Sequence, residues 1–210
     1  MGSITLAQAA LFAALAMILL TGYYLVDNAA LLNEAPALVL LGSVVPSVVW
    51  AGFFGVVWRR PASVRTVAWI TLVFAVILEG VVVCIRCQRS VNYWTPFGNA
   101  LSISGWLLRL GWAVFLISFA LSADNRRTRA AALVLAIMAA PSALSTAYGA
   151  FNNGIGLLFD EIPKEAFWRV VITPAVRTIY WVSQILFLWR TWGNPEARKS
   201  AEVSSMHFAP

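Results

Sequence analysis

The sequence predicts an all-helical membrane protein with six transmembrane helices, and its composition and hydrophobic pattern carry that prediction. Hydrophobic residues make up 60% of the 210-residue chain, and charged residues make up only 11%. A soluble domain carries about 25% charged residues, so much of this protein's surface must face a solvent other than water. The apolar residues fall into six long runs, and most charged residues lie in the short segments between them.

Each apolar run approaches or exceeds the roughly 20 residues that a helix needs to cross the hydrocarbon core. The runs cover residues 4–26, 37–58, 67–85, 101–121, 130–151 and 167–189. Residues 1–190 therefore form the predicted six-helix transmembrane domain, and residues 191–210 are predicted to form a disordered polar cytoplasmic tail. Asparagines and glycines at 152–156 predict a flexible loop after the fifth run.

Basic residues in the connecting segments predict the orientation of the chain. They cluster after the second, fourth and sixth runs, whereas the other connections are acidic or mixed. Because cytoplasmic loops are enriched in lysine and arginine, both termini are predicted to be cytoplasmic, which agrees with an even number of spans. The predicted location is a cell inner membrane or its equivalent, crossed several times. The basic residues are Arg59, Arg60, Arg65, Arg126, Arg127, Arg129, Arg190, Arg198 and Lys199.

Ionisable residues inside the spans are the main functional signal. Glu79 lies in the third run, Arg109 in the fourth and Arg177 in the sixth. A charge at a helix centre costs about 2.5–3.5 kcal/mol on insertion scales, so such residues usually face protein or water and have partners. From the helical rise, they lie about 9, 12 and 15 Å below the outer surface. This similar depth predicts that Glu79 can pair with Arg109 or Arg177.

Further polar residues share helix faces with these charges. In the sixth run, polar residues at steps of four, four, three and four form one stripe, made of Arg169, Thr173, Arg177, Tyr180 and Gln184. In the fifth run, serines form a small polar patch in the outer half of the span. We therefore expect a ligand-binding pocket in the outer half of the bundle. Its predicted residues are Glu79, Arg109, Arg177, Thr173, Tyr180, Gln184, Ser142 and Ser145.

Two interpretations of this cluster remain open. An intramembrane ion pair that only fixes the bundle would explain it without a ligand. Alternatively, two deep arginines face one glutamate, and the excess positive charge would suit a small anionic or polar solute. In that interpretation the protein is a transporter or a ligand-binding membrane protein.

Other functional classes also fit the pattern. In a membrane-embedded cyclase or isomerase acting on a lipid-like or isoprenoid substrate, Glu79 would be the catalytic acid. In an accessory subunit of a membrane complex, or in a homo-oligomer, the basic excess would meet an acid on a partner helix. The lipid bilayer is a partner in every case.

The remaining residues exclude several kinds of chemistry. The single histidine, His207, lies in the tail, so no metal or other cofactor is expected within the spans. No basic patch is extensive enough for a phosphate backbone, so no nucleic-acid partner is expected. Cys84 and Cys87 lack a thioredoxin-like βαβ context, which favours packing or a local disulfide over redox catalysis.

Two proline-centred tetrapeptides are compatible with an internal repeat, and equally with a chance match between ordinary proline kinks of membrane helices. Val45-Pro46-Ser47-Val48 lies in the second run, and Ala140-Pro141-Ser142-Ala143 lies in the fifth. With three spans in each half, the halves would be inverted in the membrane, as in several transporter folds. Prolines also free backbone carbonyl groups, which can line a site.

Overall fold

A computed structural model describes residues 4–60, 64–88, 96–121, 125–158 and 167–193. At some helical positions, Glu79 and residues 96–106 among them, the description covers the backbone and not the side chains. Of the described residues, 97% are helical and none is in a strand. The all-helical prediction is therefore confirmed for this part of the chain.

The described chain contains eight α-helices and two π-helical turns. In order they are α1 (Leu6–Asp27), α2 (Ala29–Glu34), α3 (Pro36–Val39), a first π-helical turn (Leu40–Val44), α4 (Val45–Arg59), α5 (Val64–Gln88), α6 (Pro96–Leu121), α7 (Asn125–Leu158), a second π-helical turn (Trp168–Ile172) and α8 (Thr173–Gly193). Helices α2 and α3 are short connecting segments. The six longer helices overlap the six apolar runs of the sequence.

Four helical segments of the described chain are long and apolar enough to cross a membrane. They are Leu6–Asp27, Leu40–Arg59, Arg126–Gly156 and Trp168–Trp192. In α5 and α6, the described apolar stretches Arg65–Leu78 and Leu107–Leu121 are shorter. The four long apolar helices indicate a membrane protein.

The six long helices form a closed ring. Helix α1 packs on α4, α4 on α5, α5 on α6, α6 on α7 and α7 on α8, and α8 returns to pack on α1. Short connections favour this packing of sequence neighbours in helical bundles. One end of the ring carries Arg59, Arg65 and Arg190 and is called the basic end here; Asp27 and Trp168 lie at the opposite end.

Aromatic side chains from α4, α6 and α8 fill the ring towards the basic end. The ring of Phe187 lies 4.9 Å from that of Phe54 and 6.4 Å from that of Phe115, between ring centroids. Trp112 lies 6.2 Å from Phe54. All four side chains are buried, and their edge-to-face contacts have the geometry that aromatic pairs prefer. This cluster closes the ring on the side nearer the basic end.

Each π-helical turn leads into an α-helix with proline near its start, Pro46 in α4 and Pro174 in α8. Proline has no N–H group, so the carbonyl four residues before it loses its helical donor. For Pro174 this carbonyl belongs to Val170, and the side-chain amide of Asn153 in α7 donates to it across 3.0 Å. A neighbouring helix therefore supplies the hydrogen bond that the proline removes.

The prediction of a flexible loop at 152–156 is wrong, because α7 continues as a helix to Leu158. The bond from Asn153 to Val170 and the packing of α7 on the second π-helical turn hold this segment in place. Helix α7 has 34 residues and also includes Arg126, Arg127 and Arg129 in its first turns. At about 1.5 Å per residue it is longer than the hydrocarbon core is thick.

The two tetrapeptides proposed as a repeat have different local structures. Pro46 follows a π-helical turn, whereas Pro141 lies inside α7. The π-helical turn before Pro46 is matched instead by the one before Pro174, and α4 and α8 both pack on α1. The two π-helical turns therefore precede the two helices that pack on α1.

Candidate functional site

A hydroxyl pair joins α1 to the beginning of α8. The hydroxyl oxygens of Tyr23 and Thr173 lie 2.6 Å apart, and Tyr23 is buried. The hydroxyl of Thr173 also lies 3.4 Å from the carbonyl oxygen of Trp168, across the second π-helical turn. The candidate site therefore begins where the second π-helical turn lies beside the end of α1.

The first arginine of the site, Arg177, lies one turn beyond Thr173 on α8. Its side chain is exposed, and it interacts electrostatically with Tyr23, as does Asp27 at the end of α1. The rings of Tyr23 and Trp168 stack at 6.4 Å between centroids. The phenol of Tyr23 is therefore influenced by a carboxylate on its own helix and by a guanidinium on α8.

The second arginine, Arg109 of α6, acts on α8 at Tyr180, which is about one helical turn beyond Arg177. Its guanidinium interacts electrostatically with the phenol of Tyr180, which also interacts with Tyr24 of α1. Tyr180 packs against both hydrophobic clusters of the bundle and contacts Trp181 at 4.8 Å between ring centroids. The phenol of Tyr180 is therefore influenced by side chains of both α1 and α6.

Gln184 continues the stripe one turn below Tyr180. Its side chain is 1% exposed, and within the described structure its amide Nε2 has no hydrogen-bond partner. Buried polar groups nearly always have partners, because desolvation without a bond costs about 1–3 kcal/mol. The neighbouring Ser183 is satisfied, since its hydroxyl donates to the carbonyl of Tyr180 at 2.6 Å. Gln184 thus adds a buried donor to the α8 stripe.

The remaining predicted site residues are not joined to this arrangement by described contacts. Glu79 belongs to α5, but its side chain lies outside the described set, so its pairing with an arginine and its catalytic role stay predictions. Ser142 is half-buried in α7, and its carbonyl accepts from Thr146 at 2.7 Å. Ser145 is exposed.

Sequence reasoning missed the contribution of α1. The first apolar run holds no charge before Asp27, so its tyrosines were not included among the predicted site residues. A signal was present, because Tyr23 and Asp27 are four residues apart and share a helix face at the end of the run. Tyr24, in the same run, was missed for the same reason.

Comparison of the chain with protein families, with curated proteins and with solved structures finds no match. The candidate site is therefore defined by the chemistry of its own residues. Two electrostatic interactions lie at the centre of this site, between Arg177 and Tyr23 and between Arg109 and Tyr180. They are called the arginine–tyrosine pairs here.

Proposed function

We propose that this protein binds a small anionic solute between α1, α6 and α8 and carries it across the membrane. The observation behind the proposal is the two arginine–tyrosine pairs, in each of which an arginine acts electrostatically on a tyrosine of another helix. A guanidinium suits a carboxylate or phosphate because its N–H groups can form two parallel charge-assisted hydrogen bonds.

The placement of the arginines supports an accessible site. Arg109 and Arg177 are exposed within helices that are otherwise strongly apolar. A charge facing lipid at this depth is costly, which favours a water-accessible interior. The phenols of Tyr23 and Tyr180 and the buried amide of Gln184 add neutral donors along the same path. The aromatic cluster near the basic end would form the barrier that a transporter must open.

The topology that goes with this function has six spans and both termini in the cytoplasm. Helices α5 and α6 contain 25 and 26 residues, and the ring places each between two other long helices. At about 1.5 Å per residue, both are long enough to cross the hydrocarbon core. The clustering of arginines at one end supports the orientation.

Cysteine labelling in whole cells tests this topology. In a Cys84→Ala, Cys87→Ala background, Glu34→Cys should react with a membrane-impermeant maleimide in intact cells. Arg127→Cys should react only after the cells are opened. The reverse pattern would show that the orientation is inverted.

Uptake into proteoliposomes tests the solute site. Radiolabelled acetate, lactate, succinate and inorganic phosphate are the probes. We expect Arg109→Gln and Arg177→Gln each to reduce binding or uptake of the preferred probe about tenfold or more, because each removes a charged hydrogen bond. Arg127→Gln, an exposed arginine outside the site, is the matched control. If both site variants fold and match the unaltered protein, the assignment fails.

A further inference from the structure

A shallow depression lies between the end of α1 and the second π-helical turn. Val26, Asp27, Trp168 and Arg169 line it, and its volume is about 290 Å³. This volume is just below the roughly 300 Å³ at which small-molecule pockets begin, so the open depression can hold one small polar group rather than a whole ligand. It lies outside the two arginine–tyrosine pairs and does not use Arg109 or Arg177.

Three side chains of the lining can together bind one positively charged group and one negatively charged group. The carboxylate of Asp27 can accept hydrogen bonds from an ammonium group, and Arg169 can donate to anionic oxygens. The indole of Trp168 attracts a cation at its ring face, and 44% of this side chain is exposed. The carboxylate of Asp27 also interacts with the hydroxyl of Tyr23, which holds it at the edge of the depression.

The depression lies where one candidate membrane span ends and another begins. Asp27 is the last residue of α1, and Trp168 is the first residue of the second π-helical turn. Tryptophan is enriched at this depth, where the headgroups of the bilayer lie. The stacking of Trp168 on Tyr23 holds the indole at the rim.

We infer that this depression binds a zwitterionic group that carries an ammonium and an anionic oxygen within one headgroup. Asp27 and Trp168 hold the ammonium, and Arg169 holds the anionic oxygen. An ethanolamine phospholipid and a free phosphoethanolamine-like solute share this chemistry. The depression borders the Arg177–Tyr23 pair, because Asp27 and Trp168 both interact with Tyr23, whereas Arg109 lies outside it.

Lipid retention by the full-length protein tests the inference. The protein is purified from nanodiscs that contain equal amounts of phosphatidylethanolamine and phosphatidylglycerol, and native mass spectrometry counts the retained lipids. Free O-phosphoethanolamine is added as a competitor. We expect preferential retention of phosphatidylethanolamine, reduced about fivefold by Asp27→Asn and by Arg169→Gln, as for exposed charge contacts.

The controls separate this site from general charge effects and from the solute path. Glu34→Gln and Arg127→Gln remove exposed charges elsewhere and should leave retention unchanged. Arg109→Gln should also leave it unchanged, even where it abolishes uptake of an anion. The charge-swapped double variant, Asp27→Arg with Arg169→Asp, keeps both charges and should recover most of the retention that either single variant loses.

The outcomes are distinguishable. If O-phosphoethanolamine binds and needs both charges while the lipid is not retained, the zwitterion site stands and its source is a free solute. Equal retention of the two lipids, with no binding of O-phosphoethanolamine, would overturn the inference. Full retention in both single variants, or no recovery in the charge-swapped variant, would also overturn it. Circular dichroism melts check that the exposed substitutions leave the fold intact.

Discussion

The side-chain amide of Asn153 donates a hydrogen bond to the backbone carbonyl of Val170 across 3.0 Å. That carbonyl is four residues before Pro174, which has no N–H group to donate to it. Lipid offers no hydrogen bonds, so a membrane helix can tolerate proline only where another group replaces the lost donor. Helix α7 therefore stabilises the start of α8 and the site that follows it.

Replacing Asn153 with alanine should destabilise the protein by about 1 kcal/mol, within the range of interhelical hydrogen bonds in membranes. The measurement is the free energy of unfolding in mixed micelles containing increasing SDS. Asn152→Ala is the matched control, because Asn152 is the exposed neighbour on the same helix. Equal stability of the two variants would contradict the role given to Asn153.

The hydroxyl pair of Tyr23 and Thr173 should show a measurable coupling energy. Tyr23→Phe and Thr173→Val each remove one of the two oxygens that lie 2.6 Å apart. In a double-mutant cycle we expect a coupling of about 0.6 kcal/mol, typical of such bonds between membrane helices. Tyr148→Phe is the control, since this tyrosine is 70% exposed. Strict additivity of the two substitutions would show that the bond does not stabilise the bundle.

Phe187 should be the most sensitive of the aromatic positions. It contacts Phe53, Phe54 and Phe115 and is 1% exposed. Lipid is as apolar as the core, so the cost of Phe187→Ala comes mainly from the cavity, about 2 kcal/mol. The control is Phe151→Ala, at a position that is 68% exposed. Similar unfolding free energies for the two variants would rule out a packed aromatic core.

Gly111 should not tolerate a larger side chain. A Cβ atom at this position would meet the end of Leu135 and would lie 3.1 Å from the sulfur of Met138, both on α7. Gly111→Ala should therefore cost about 1–3 kcal/mol through overpacking. Gly55→Ala should be neutral or slightly stabilising, because its added Cβ would have no atom within 4 Å. The same SDS titration compares them, and a harmless Gly111→Ala would disprove the close contact between α6 and α7.

The lengths of the hydrophobic runs in the sequence predicted most of the helical architecture. The six predicted runs overlap the six long helices, because a polypeptide in lipid must satisfy its backbone hydrogen bonds within each segment. The error at 152–156 came from reading asparagine and glycine as loop formers. Tertiary contact overrode that local preference, since Asn153 bonds to a residue 17 positions away.

The candidate site was predictable only in part, and for a physical reason. The stripe on α8 repeats with the period of a helix, so Thr173, Tyr180 and Gln184 could be assigned to one face. The contacts of this stripe with Tyr23 depend on which helices are neighbours in the ring. The local sequence pattern of α1 does not indicate which helix packs against it. The π-helical turns depend equally on packing across helices.

The amino-acid sequence by itself determined that the chain is helical, apolar enough for a membrane and interrupted by prolines, because these properties depend on composition and spacing along one segment. Only the tertiary structure decided that α8 closes the ring against α1 and that the hydroxyl of Tyr23 bonds to that of Thr173. Such contacts join residues as far apart in sequence as Tyr23 and Thr173. They form only when separate helices pack, since association in lipid depends on the fit of facing side chains.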